Sequence, residues 1–112
     1  MRYQHPRRIT PAEAEDAFRS QDSTRIAETL ISSAFHCSER EWVEGWLIRF
    51  SGHPEVRVRR AAALALGHLA RLHGQVSPEA VAAVSALLDD AELSGAPANA
   101  LDDVRMFTDA TP

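Results

Sequence analysis

The sequence predicts an all-α protein of six helices arranged as three consecutive pairs. Three observations predict it. Helix-start signals recur along the chain, apolar residues inside each segment repeat every three or four positions, and no stretch alternates with period two for long enough to make a strand. At 112 residues, with 45% apolar and 25% charged side chains, the chain suits one soluble domain with a single core.

The helices follow in order. Thr10-Pro11-Ala12-Glu13 supplies an N-cap, a proline at the first helical position and a capping-box Glu, so a first helix runs to about Ser20. Asp22 or Ser23 caps the second, whose Ile26, Leu30, Ile31 and Ala34 share one face. Ser38-Glu39-Arg40-Glu41 reads as another capping box, opening a third helix with a stripe of Val43, Trp46, Leu47 and Phe50. Gly52-His53-Pro54 interrupts the chain. A long fourth helix is expected from Pro54 to the His73-Gly74 stop, with cations in its last turn. Ser77-Pro78-Glu79 starts the fifth, with Val81, Val84, Leu87 and Leu88 on its stripe. After the turn Leu93–Pro97, the sixth uses Ala100, Leu101, Val104 and Phe107. Residues 1–9 are expected to form a flexible arm and 10–109 the domain.

Charge is unevenly placed. Residues 1–75 hold 11 Arg against 9 acids, whereas residues 76–112 hold one Arg against 7 acids. All basic residues are Arg, which reads first as a GC-rich coding sequence and second as a preference for bidentate ion pairs. One cysteine permits no internal disulfide and fits a reducing compartment. No run approaches the roughly 20 apolar residues of a membrane helix, and Met1–Arg8 lacks the apolar stretch of a secretory signal. A cytoplasmic location with no membrane role is expected.

Pro54-Glu55-Val56-Arg57-Val58-Arg59-Arg60-Ala61-Ala62-Ala63-Leu64-Ala65-Leu66-Gly67-His68-Leu69 resembles the second helix of a HEAT repeat. Ala65-Leu66 matches Ala100-Leu101 at a spacing of 35 and Thr29-Leu30 at 36, which suits a two-helix repeat. The resemblance covers about residues 38–74 and implies a short α-α solenoid of three HEAT-like hairpins, with the even-numbered helices lining the face that binds partners in that family. It also implies that Arg59 pairs with an acid of the adjacent turn. The usual Asp at the head of the second helix is Glu55 here. The phrases Ser33–His36, Leu66–Gly74 and Ala100–Phe107 are similar to those of small standalone bacterial HEAT-like proteins, and some small proteins of this size are immunity proteins that silence a toxin.

Catalysis and cofactors have little to stand on. His5, His36, His53, His68 and His73 show no zinc-ligand spacing, so no metal is expected. Cys37 has only the adjacent His36 as a base and reads as a small buried hydrophobe. Asp89-Asp90 and Asp102-Asp103 diverge by about 100° on a helix and do not form a paired-carboxylate site. Glu39, Glu41 and Glu44 are assigned to the outer side of the third helix. No catalytic residue and no cofactor are assigned.

What remains is binding. Trp42 lies with Gly45 and Arg49 toward a helix edge, where it is either a contact anchor or a cover for the seam between repeats. His68 shares a stripe with Arg57, Arg60, Leu64 and Arg71 and is either a partner contact or a satisfied interior histidine. The acids of the last third favour a basic partner, or form a solvated face. The reading is a non-enzymatic module that binds one protein, most specifically an immunity protein for a toxin or nuclease domain that is basic, through Trp42, Arg60, His68, Arg71, Asp102, Asp103 and Arg105. A generic adaptor or regulatory subunit is the alternative. Nucleic-acid binding through Arg57, Arg59, Arg60 and Arg2, Arg7 and Arg8 ranks third, because a sequence pI near 5.7 opposes it.

Overall fold

The computed structural model describes residues 10–108. The arm assigned to residues 1–9, with Arg2, His5, Arg7 and Arg8, lies outside them. Six helices are present: α1 (Pro11–Phe18), α2 (Ser23–His36), α3 (Arg40–Phe50), α4 (Val56–His73), α5 (Pro78–Ser85) and α6 (Ala96–Phe107), with a 3-10 turn at Ala91–Leu93 between the last two. No strand occurs among the described residues.

Local chemistry sets most boundaries. Thr10 accepts from the Glu13 N–H while the Glu13 carboxylate accepts from the Thr10 N–H, the reciprocal capping box. Asp22 and Ser77 cap α2 and α5 through the Arg25 and Ala80 N–H groups. Gly74 ends α4 at φ +70°, a left-handed conformation that favours glycine.

Two starts differ from the sequence expectation. The box expected at Ser38 does not form: α3 begins at Arg40, and its N-cap Glu39 makes no side-chain cap bond. Helix α4 begins at Val56 rather than Pro54. The Arg59 guanidinium donates to the carbonyls of both His53 and Pro54, each at 2.9 Å, and the Glu55 N–H donates to His53 Nδ1 at 3.0 Å. Those bonds hold residues 53–55 in a turn that precedes the helix.

The helices pack as two layers. In one, α4 lies between α2 and α6; in the other, α3 packs on α5 and reaches α1 through Phe18, whose ring is 4.6 Å from Trp46 and 5.3 Å from Phe50. Each consecutive pair α1–α2, α3–α4 and α5–α6 spans the two layers. Leu30 and Ala34 of α2, Val43 and Leu47 of α3, Ala62, Leu66 and Leu69 of α4 and Val84 of α5 are fully buried in one core. Alanines at 61, 62, 63, 65 and 70 let α4 be approached on several sides, which a central helix requires.

The stacking has a fixed register. Arg57 bonds Thr24, Ser77 bonds Glu44 and Arg59 bonds Glu92, each pair 33 residues apart. Phe35 and His68, again 33 apart, face each other at 4.2 Å. Because the start of α2 meets the start of α4 and the end meets the end, the two helices run parallel.

Candidate partner-binding face

The outward side of α4 reads Arg57, Arg60, Leu64, His68 and Arg71, positions that share one helical stripe. Helices α2 and α6 flank it and supply the rest of the face. Phe35 of α2 is 40% exposed and Leu64 is 38% exposed, so the middle of the face is apolar. Phe35 packs against the His68 ring, tilted at 41°. Leu64 lies on the α4 stripe itself, whereas Phe35 is marked only by an outer stripe on α2 with Thr24 and Glu28, which is easily read as ordinary surface.

At the far end of the stripe His68, Arg71 and Asp103 meet. Arg71 Nη2 is 2.6 Å from His68 Nδ1. A guanidinium only donates, so Nδ1 is the acceptor and the neutral ring carries its proton on Nε2. Arg71 Nη1 also lies 3.8 Å from Asp103 Oδ2. Burial holds His68 below its ordinary pKa, the Arg71 charge adds to the effect, and Asp103 opposes it. His68 is therefore a partly buried, neutral member of the face. Helix α6 comes close here because residue 67 is glycine: a Cβ would sit 2.8 Å from Asp103 Oδ2 and 3.6 Å from the Ala100 Cα.

At the near end, Arg57 donates to Thr24 Oγ1 and Arg60 donates to the Glu92 carbonyl at 2.9 Å. Arg59, turned inward, forms the ion pair that the resemblance implied, with Asp90 at 3.0 Å and Glu92 at 3.2 Å.

His68, Arg71 and Asp103 thus come together at one end of the α4 stripe, and Arg60 lies on the same stripe two turns away, bonded to the Glu92 carbonyl. The other three candidates do not join them. Trp42 belongs to the opposite layer, where its Nε1–H donates to Glu15 Oε2 at 3.4 Å and its ring lies 6.3 Å from Phe18. Asp102 and Arg105 pair with each other on the exposed side of α6 and form no ion pair with α4. Glu44 also departs from expectation. It is 3% exposed, and its Oε2 takes Arg40 Nη1 at 2.7 Å and the Ser77 N–H at 2.8 Å. It anchors the start of α5, lining one side of an open groove of about 520 Å³ between α3 and residues 75–79.

Among the described residues no group of three or more His, Cys, Asp or Glu could hold a metal, and no helix is long and apolar enough to cross a membrane. No protein-family model and no curated protein matches the chain. A solved structure does. The chain is similar to a chain of the crystal structure of a CDI complex from Cupriavidus taiwanensis LMG 19424, with 32% identity and a TM-score of 0.82, over 96% of this chain and 97% of that one. An identity of that order, sustained from end to end of both chains, places the protein in the same family as this component of the Cupriavidus CDI complex.

Proposed function

We propose that the protein is an immunity protein, a non-enzymatic inhibitor that binds one toxin domain and neutralises it in the cytoplasm. The observation that carries the reading is the end-to-end similarity to a component of a complex of contact-dependent inhibition, a toxin-immunity system. The fold supports it: a short stack of helical pairs presents a broad, layered surface, on which no nucleophile, base and orienter converge among the described residues. The α2–α4–α6 face is the docking surface in this reading, with Arg60 toward one end of the α4 stripe and His68, Arg71 and Asp103 at the other, Asp102 and Arg105 on the α6 flank, and Trp42 on the opposite layer as a second contact. A basic toxin domain, a nuclease among them, suits the Asp102 flank, where the carboxylate pairs with the exposed Arg105.

The test is capture of the tagged protein's partner from its native lysate, with nuclease added and a moderate-salt wash. One stoichiometric protein that arrests growth when expressed alone, and does not when co-expressed with this chain, supports immunity. A stoichiometric partner without toxicity instead makes the chain an adaptor. Replacing Asp102 and Asp103 by Ala is expected to weaken the complex by more than tenfold, about 1.4 kcal/mol. Unchanged affinity with an intact fold removes α6 from the interface.

A further inference from the structure

Six of the described arginines sit within ion-pair distance of a carboxylate: Arg19, Arg25, Arg40, Arg59, Arg71 and Arg105. Arg49 lies over the Trp46 ring, 5.6 Å from its centroid. Arg57 and Arg60 differ from all of these. Both are held only by neutral oxygens, the Thr24 hydroxyl and the Glu92 carbonyl, in a chain whose net charge of −4 leaves carboxylates to spare. Glu55, at the head of α4, is the nearest acid in sequence, and Glu28 lies one turn beyond Thr24 on α2; neither forms an ion pair with them. Glu92 turns its own carboxylate to Arg59 and offers Arg60 only its backbone.

Two guanidiniums three residues apart on a helix are neighbours. Each has one of its five N–H groups committed, so each is fixed in position with most of its fork free. Orienting a cation without neutralising it prepares it for an anion from outside, because the ordering cost is already met. One turn beyond Arg60, about 6 Å along the helix axis, the exposed Leu64 begins the apolar middle of the face, and Phe35 of α2 follows a turn later, opposite His68.

We infer that Arg57 and Arg60 receive carboxylates of the protein partner, from an acidic segment whose next residues place an aliphatic or aromatic side chain over Leu64 and Phe35. This deepens the immunity reading and rests on α4 presenting the docking face. The charge complement required of the partner is opposite at the two ends: acidic against Arg57 and Arg60, basic against the Asp102 flank. A protein segment fits better than nucleic acid because the apolar patch adjoins the cations directly, and because six of the other seven described arginines are already paired with carboxylates, the seventh, Arg49, lying over the Trp46 ring.

The test uses the full chain, isotope-labelled, and an acetylated peptide Asp-Glu-Gly-Leu-Phe with its Asn-Gln-Gly-Leu-Phe analogue. The acidic peptide, titrated to about 5 mM to cover weak affinities, should give saturable NMR shifts at Arg57, Arg60, Leu64 and Phe35. The amide analogue should bind at least tenfold more weakly, and R57Q/R60Q, whose surface substitutions leave the circular dichroism unchanged, should lose the difference. Equal response to both peptides, shifts centred elsewhere, or tighter binding of a short oligodeoxythymidine than of the peptide each overturns the inference. None of these results bears on toxin capture: a captured toxin with a silent peptide titration keeps the immunity reading and removes this one.

Discussion

Glu44→Ala tests whether α3 and α5 are tied by charge. The carboxylate is buried and one oxygen serves two donors, Arg40 Nη1 at 2.7 Å and the Ser77 N–H at 2.8 Å. Hydrogen bonds to a charged group contribute about 1.5–3 kcal/mol each. Their loss is cushioned because the Arg40 side chain is 17% exposed and Ser77 is half-buried, so both reach water after a small shift. The net cost is expected at about 2–4 kcal/mol, below the value for breaking a fully buried pair. In a domain of this size that lowers the melting temperature by about 10–20 °C. Urea unfolding followed by the fluorescence of Trp42 and Trp46, both on α3, measures it directly. Glu44→Gln, which keeps an acceptor for one donor, should recover half or more of the loss. In an Arg40→Ala background the cost of Glu44→Ala should shrink. A Glu44→Ala protein within about 0.5 kcal/mol of the parent, the spread of ordinary surface changes, refutes the tie.

Three further outcomes follow from the same contacts. Arg59→Ala strands Asp90 and the His53 and Pro54 carbonyls, which Arg59 serves from a side chain only 14% exposed, and is expected to cost about 3 kcal/mol, with Arg59→Lys recovering part; equilibrium unfolding measures both. Leu66→Ala empties a fully buried site at the centre of the core and should cost about 2–5 kcal/mol, read by the same method with an unchanged denaturant slope. Because His68 titrates below its ordinary value in the fold, the unfolded chain takes up a proton that the folded chain refuses. Its contribution to stability is whole above pH about 6.5 and falls away as the pH drops through the folded value; His68→Gln should flatten that decline in urea midpoints measured across the range.

Much of the fold was legible because the deciding chemistry is local. Thr10-Pro11 and Ser77-Pro78 cap and start helices through bonds three residues long, and Gly74 stops α4 by a backbone conformation. The failures share a cause, which is a partner far away in sequence. Glu44 looks like a solvated acid on the outer side of α3 until α5 delivers the Ser77 N–H to it. Pro54 looks like a helix start until Arg59, fixed from outside by Asp90 and Glu92, holds the carbonyls of residues 53 and 54. The candidate face was half legible for the same reason. The stripe on α4 follows from its own periodicity, and Arg71 beside Asp103 needed only α6 as neighbour. Trp42 was drawn to the edge of α3 by its spacing, but its indole is committed to Glu15 of α1, and nothing within α3 records that. Asp102 and Asp103 are adjacent in sequence, yet only Asp103 reaches α4.

The constant 33-residue offset between stacked neighbours has a consequence for how the molecule opens. Each helical pair rests on the one before and the one after, so the outer pairs have one supporting neighbour and the α3–α4 pair has two. Opening free energies should therefore form a gradient along the chain, highest at the α4 amides around Ala62–Leu69 and lower toward α1 and α6. A face centred on α4 is then the most rigid surface the molecule owns, while its α6 flank is free to adjust by lifting a single pair. Amide exchange slowing at α6 on capture of a partner, with α4 already slow beforehand, is the kinetic imprint such a clamp leaves.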